Sequence, residues 1–330
     1  VKIVFFDSTV MHKYWTASLN ELEINHISLL KDNEDFEKVR DTLEKFNPDI
    51  LIGSVLINPK KLSYYEKIKQ WGKQNNKCLA WITTQDPNFN FATCKQALGY
   101  DYVFTCASEC VEDYKKIGCE KVGIVPLGYN PLWSKYSKEE KIYDVVLLGN
   151  YYLPSIEREC YEKKVDRHQI KPGYKNIIRP LIKNGYNVKI WGHKDNWLKS
   201  GFVSENNLMD YILYTRHAEI YNKAKICISI NSNQYSPTMM SWRAYEIPAC
   251  KAFCLSAWSK ATENVFTDGK DLVISNSPED TLRLVDKYLN NDTERDRIAN
   301  NGYEAVKDKH SVKQRIIDML KFIDENGGKL

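Results

Sequence analysis

Short runs of β-branched and aromatic residues alternate with helical patterns in two successive series, and this alternation constrains the fold more than any single motif. In the first series, KIVFFD (2–7), INHISLL (24–30), DILIGSV (49–55), CLAWITT (78–84), DYVFTC (101–106) and KVGIVPL (121–127) read as strands. Between them, the segments 33–46, 59–74 and 108–118 carry apolar residues at helical spacing, with Pro59 and Ser108 as start signals and Gly118 as a stop. The stretch 129–144 is charged, contains Pro131 and lacks a period, so it reads as a linker. The alternation then restarts with strands at 144–149, 187–192, 225–231, 252–256 and 271–275. Helices are expected at about 174–184, 216–224, 238–250, 279–290, 293–308 and 311–325. Such β-α series predict parallel sheets covered by helices on both faces. The fold expected is therefore α/β, with two doubly wound, Rossmann-like domains facing across a cleft. The boundaries are 1–130, a linker at 131–143, 144–310, and a last helix at 311–330 that crosses back to the first domain.

Length and composition agree with two real cores. The chain has 330 residues, 43% hydrophobic and 27% charged, and a net charge of +4 that suits an anionic ligand without demanding nucleic acid. Its nine cysteines are scattered, with no C-x-x-C pair, which reads as reduced core residues rather than a disulfide framework or a zinc site. The start VKIVFFD is too short, and too soon followed by charge, for a signal peptide. No run approaches the ~18 apolar residues of a membrane span, so a cytoplasmic location is expected.

Several chemistries are excluded by what the motifs lack. There is no P-loop, no G-x-G-x-x-G, no G-x-S-x-G and no D-x-D pair of metal-bridging carboxylates, and the six histidines do not fall at metal-ligand spacing. No cofactor and no metal are expected. What stands out is SWRAYEIPACKAFCL (241–255), where Arg243 and Glu246 sit inside an otherwise apolar helix. A carboxylate there needs a hydrogen-bond partner, either Arg243 one turn back or a ligand. The segment 150–176 has no clear pattern. It carries Arg158, Lys163, Lys164, Arg167, His168, Lys171 and Lys175, and reads either as a solvated insertion or as a lid contacting an acceptor.

YTRHAEIYNKAKICISIN (214–231), SWRAYEIPACKAFCLS (241–256), VFTDGKDLVI (265–274) and ERDRIANNGYEAVKDKHS (294–311) together resemble the carboxyl half of the spore-maturation, CgeB-like glycosyltransferases. CASECVEDYKKIGCEKVGIVPLGYNP (106–131) resembles the end of their first domain, and WITTQDP (81–87) their acceptor-side loop. The resemblance covers about 60% of the chain by our reading of these motifs. It implies the two-domain GT-B architecture, with an acceptor-side first domain and a nucleotide-sugar-binding second domain. It assigns Glu246 to the two ribose hydroxyls of a nucleotide-sugar and Arg243 to the diphosphate. Gly149 and Asn150 would form a turn close to the sugar-diphosphate, Trp191 and Gly192 would flank the base, and Asn231 and Ser232 would face the same cleft. Arg179 is a further phosphate candidate. On the acceptor side Asp86 is the candidate catalytic base, with His12, Arg167 and His168 near the acceptor. The chain departs from the family at Lys251, where a glycine turn is usual, and at Pro248 within the helix. A left-handed turn there is thereby put in doubt, and Lys251 becomes a candidate for the donor phosphates.

The function implied is transfer of a sugar, with a UDP-sugar favoured, to a hydroxyl acceptor, metal-independent and with retained configuration. The acceptor is a glycan, a protein or modified DNA, since phage DNA base glucosyltransferases share this outline. Two readings of other kinds stand beside it, a non-catalytic nucleotide-sugar binder and a non-hydrolysing sugar epimerase.

Overall fold

The computed structural model describes residues 1–6, 9–29, 35–54, 62–87, 90–151 and 173–328. The chain forms two compact units, one of Val1–Pro126 with Val312–Leu330, the other of Leu127–Ser311.

The first unit is built on a six-stranded sheet in the order β2-β1-β3-β4-β5-β6, formed by β1 (Lys2–Phe6), β2 (Asn25–Ser28), β3 (Ile50–Ser54), β4 (Cys78–Thr83), β5 (Tyr102–Thr105) and β6 (Val122–Ile124). Every pairing is parallel, for example Ile3 opposite Ile50 and Ile50 opposite Cys78. The central strands β3 and β4 are apolar along almost their whole length and are buried, as a sheet covered on both faces requires. The helix Phe36–Phe46 starts on Asp35, whose carboxylate accepts from Glu37 N, and ends on Asn47 in the left-handed region. The last helix, Val312–Glu325, buries Val312, Ile316, Met319 and Ile323 along one stripe. Phe322 meets Phe104 edge to face at 5.5 Å, Tyr102 Oη donates to Asn326 O, and Lys313 pairs with Glu21 at 3.6 Å. Each fully buried side chain of that size contributes about 1.5–3 kcal/mol, so this helix is an integral part of the first unit.

In the second unit the sheet order is β12-β11-β10-β7-β8-β9, again all parallel, from β7 (Tyr143–Leu148), β8 (Val188–Trp191), β9 (Leu208–Met209), β10 (Ala224–Ser229), β11 (Cys254–Ala257) and β12 (Val273–Ser275). Counted within the unit, that is strand order 3-2-1-4-5-6, the doubly wound arrangement. Its core gathers Val145, Leu147, Val188, Ile190, Ile226, Ile228 and Leu255 under the helices Arg179–Lys183, Pro278–Leu289 and Asp292–Val306.

Several elements depart from the sequence reading. The helices Thr9–Glu21, Asn90–Ala97, Lys194–Leu198 and Lys260–Val265 and the two-residue strand β9 are additions. The stretch expected as a linker is woven into the second unit. Lys141 Nζ donates to Asn222 O, Asn222 Nδ2 donates to Lys135 O, and Trp133 packs against Tyr214 at 5.3 Å.

Candidate functional site

In a doubly wound sheet the crevice for a ligand opens beyond the carboxyl ends of the two strands at which the winding reverses. In the second unit those strands are β7 and β10, hydrogen-bonded neighbours from which the chain departs in opposite directions. Beyond β7 lie Gly149 and Asn150; beyond β10 lie Ile230, Asn231 and Ser232.

Arg243 ties the two strand ends together. Its Nη1 donates to Leu148 O at 3.1 Å and its Nη2 to Ile230 O at 3.0 Å. The buried Nε has no hydrogen-bond partner among the described residues. The guanidinium lies so close to Gly149 that a Cβ there would stand 3.0 Å from Nη1. A Cβ at Gly192 would collide with the Gly149 carbonyl oxygen. Both glycines are therefore required by close approach. Gly149 N donates to Trp191 O at 2.8 Å, and Trp197 Nε1 donates to Gly149 O at 2.9 Å. Asn150 Oδ1 accepts from His193 N and its carbonyl accepts from Tyr174 Oη. Gly149, Asn150 and Gly192 thus form one rigid double turn facing Arg243.

Glu246 follows one helical turn after Arg243, in the helix Arg243–Ala249, and is 4% exposed. The Arg243 donors are engaged by main-chain carbonyls rather than by this carboxylate. One titratable neighbour is His217, whose Nδ1 lies 3.5 Å from Oε2. His217 begins the short helix His217–Tyr221, and its ring meets Tyr221 edge-on at 6.0 Å. Burial, with the nearby Glu246 charge second, pushes the Tyr221 phenol well above its usual range. The sequence reading missed His217. Nothing local in YTRHAEIY marks it, and only the crossover through β10 brings it to a residue far along the chain.

Several assigned residues take other roles. Lys251 adopts φ +49°, so the left-handed turn usual for glycine persists. Its ammonium lies over the rings of Tyr303 (4.6 Å) and Tyr136 (5.7 Å), a cation–π site that accounts for the lysine without any phosphate. Trp191 is buried edge-on against Tyr143 at 5.2 Å, which makes it part of the packing and not the wall of an aromatic slot. The Asn231 amide is fully used, with Nδ2 donating to Ser259 Oγ and Thr262 Oγ1 while Oδ1 accepts from Ser241 N. It braces the entry to the Glu246 helix. Ser232 Oγ lies 3.8 Å from Met239 Sδ. Arg179 opens its helix on an exposed position.

Asp86 does not stand at a rim. It is 0% exposed. Its Oδ1 accepts from Thr93 Oγ1 at 2.8 Å, and its Oδ2 from Thr105 Oγ1 at 2.7 Å and Tyr114 Oη at 2.8 Å. Burial raises its pKa above the usual carboxylate range, against the pull of these hydroxyls. A group so enclosed holds the first unit together and has no route to an acceptor proton. His12 falls in the Thr9–Glu21 helix with its side chain outside the described ones, and Arg167 and His168 lie outside the described residues. Among the described residues no group of three or more His, Cys, Asp or Glu could hold a metal ion, and no helix is long and apolar enough to cross a membrane.

Comparison with known proteins bears on the fold. A family model described as glycosyl transferase-like matches residues 167–321. The structure of the DNA-modifying enzyme β-glucosyltransferase superposes with a TM-score of 0.68 at 14% identity, over 98% of this chain and 100% of that one. The Anabaena HepE protein in complex with UDP-glucose gives 0.62 at 12% identity, over 98% and 99%. Sucrose-phosphate synthase from Thermosynechococcus elongatus gives 0.63 at 12% identity, over 99% and 100%. No curated sequence matches the chain. At these identities the structural likenesses establish the fold, which is GT-B. Residues 167–321 thus match a glycosyl transferase-like model, in a chain whose fold is of the GT-B type.

Proposed function

We propose that the protein is a glycosyltransferase that moves a sugar from a UDP-sugar to a hydroxyl acceptor, without a metal and with retention of configuration. One observation carries the reading. A guanidinium and a buried carboxylate stand one helical turn apart where the winding of the second sheet reverses, beside two glycines stripped of side chain by close approach. A ribose offers two vicinal hydroxyls, and a carboxylate can accept both, each hydrogen bond to a charged group contributing about 1.5–3 kcal/mol. The diphosphate then falls toward the Arg243 guanidinium, where the two strand ends meet. Negative charge grows on the diphosphate as the bond to the anomeric carbon breaks, and a fixed guanidinium stabilises it without reorganisation. The matched structures that contain UDP-glucose or its nucleotide favour uridine as the base.

The experiment is a panel of nucleotide-sugars tested for thermal stabilisation of the full chain. A ligand at 100 times its Kd adds roughly 2.7 kcal/mol. The expected result is stabilisation by UDP-sugars that Glu246→Ala abolishes while the protein stays folded. Equal stabilisation of the variant would defeat the ribose assignment. Slow hydrolysis of the bound UDP-sugar without acceptor separates a transferase from a non-catalytic binder.

For the acceptor, DNA carrying a hydroxylated base is a second reading, favoured by the end-to-end match to a DNA-modifying glucosyltransferase. Retention on hydroxymethylated duplex that falls steeply with salt supports it. Transfer to a free glycan at undiminished rate in competing DNA removes it.

A further inference from the structure

The Glu246 carboxylate needs a defined orientation if it is to take two hydroxyls at once. Its helix has seven residues and contains Pro248, and Arg243, one turn back, is anchored to the strand carbonyls of Leu148 and Ile230. A group from another element stands beside the carboxylate. His217 Nδ1 lies 3.5 Å from Glu246 Oε2, with the histidine side chain 21% exposed and the glutamate side chain 5%. That distance is the outer limit of a hydrogen bond, and the tautomer that carries its proton on Nδ1 turns an N–H toward the carboxylate. The imidazole is in turn held from one side. Tyr221, one turn later in the same helix and 1% exposed, sets its ring at 72° to the imidazole. The chain Tyr221–His217–Glu246 has the form in which ligand-contacting groups are usually aimed, with a packed aromatic fixing a histidine and the histidine fixing an acid.

We infer that His217 is a positioning residue for the donor site, setting the plane of the Glu246 carboxylate through Nδ1–H so that the ribose hydroxyls meet a preorganised acceptor. This rests on the assignment of Glu246 to the ribose and extends it to a residue on a different helix. His217 touches no reacting atom; it acts through Glu246.

The test measures UDP-glucose affinity and steady-state kinetics in the full chain with three variants. His217→Phe keeps an aromatic ring against Tyr221 and removes the N–H. His217→Asn restores a donor nitrogen near the position of Nδ1. Glu246→Ala provides the background in which positioning has nothing to act on. The expected result is that His217→Phe raises the Kd and the donor KM about tenfold, the size of one charge-assisted hydrogen bond, with kcat changed less. His217→Asn recovers most of the loss, and His217→Phe adds nothing in the Glu246→Ala background. The nucleotide 2′,3′-dideoxyuridine diphosphate, which lacks both hydroxyls, binds wild type and His217→Phe equally. The inference is overturned if His217→Phe binds UDP-glucose like wild type while Glu246→Ala does not, or if its loss persists undiminished in the Glu246→Ala background. If Glu246→Ala itself leaves UDP-glucose binding intact, the ribose assignment fails and takes this inference with it. Matching melting temperatures for the two His217 variants show that any loss is local.

Discussion

Each unit encloses an acid that the sequence marks as a candidate for chemistry, and the two acids have opposite surroundings. Asp86 in the first unit receives three hydroxyl hydrogen bonds, from Thr93, Thr105 and Tyr114, on both of its oxygens. Glu246 in the second unit is almost as deeply placed, yet it faces an imidazole at 3.5 Å and stands beside an arginine whose donors go elsewhere. Burial alone therefore does not say what an acid does. An acid whose two oxygens are both met by hydroxyls of its own chain, as in Asp86, is a brace.

The largest effect expected from this contrast is at the brace. Asp86→Ala removes the shared acceptor of three buried hydroxyls, which keep Asn90 O, Ala107 O and Thr93 Oγ1 as second partners; each lost hydrogen bond costs about 0.5–1.5 kcal/mol, and about 1.5–3 where the acceptor is charged. Denaturant unfolding should show a loss of more than about 3 kcal/mol. Glu246→Ala should cost far less stability and remove donor binding. If the two variants exchange these phenotypes, the contrast is wrong.

Next in size is Arg243→Met. It strips the ties to Leu148 O and Ile230 O, so it should reduce both stability and UDP-glucose affinity, the latter by about tenfold or more for a lost charge-assisted contact. A loss of stability with full donor affinity would leave Arg243 a brace like Asp86, without a role at the diphosphate.

The same contrast separates what could be read from the sequence. Strands with continuous apolar runs, such as β3 and β4, were legible because burial on both faces leaves no other pattern. The Thr9–Glu21 helix was not legible. Its buried face includes Ser18 and Ala17 beside Tyr14, Trp15 and Leu19, so the apolar stripe is broken by small and polar residues. Strand β9 is two residues long and exists only because β8 pairs with it. In the site, Glu246, Arg243 and Gly149 were legible as polar or bare positions at element ends. The role of Asp86 was not, because its partners Thr93, Thr105 and Tyr114 come from three separate elements. His217 was hidden for the same reason, as the partner that defines it lies beyond β10.

A pH series sharpens the comparison through Asp86. Its folded-state pKa is raised, chiefly by burial. An acid of that kind holds its proton more tightly folded than unfolded. Its contribution to stability is complete below the unfolded carboxylate range and is lost as pH rises through the raised value. Asp86→Asn cannot titrate, and its amide can donate to Thr93 Oγ1, which has Asn90 O as an acceptor for its own proton. The stability of wild type relative to Asp86→Asn should therefore fall as pH is raised from 4 toward 7. A relative stability that rises with pH would mean that the three hydroxyls outweigh burial and that Asp86 is more stable ionised.

The smallest effect expected is that of Tyr221→Phe, behind Glu246. Its hydroxyl is buried without a hydrogen-bond partner among the described residues, and its ring supports His217. Tyr221→Phe removes the unpaired hydroxyl and keeps the ring, so stability should change by less than about 0.5 kcal/mol or rise slightly, with UDP-glucose affinity unaltered. Tyr221→Ala removes the ring as well. It should cost about 3–5 kcal/mol of stability as a large core truncation and weaken donor binding in the same sense as His217→Phe. A loss of donor affinity in Tyr221→Phe would show that the hydroxyl reaches the ligand or a bound water. Glu246 would then share its ribose with a second group, and the acid of the second unit would be less unlike Asp86 than its hydrogen bonds suggest.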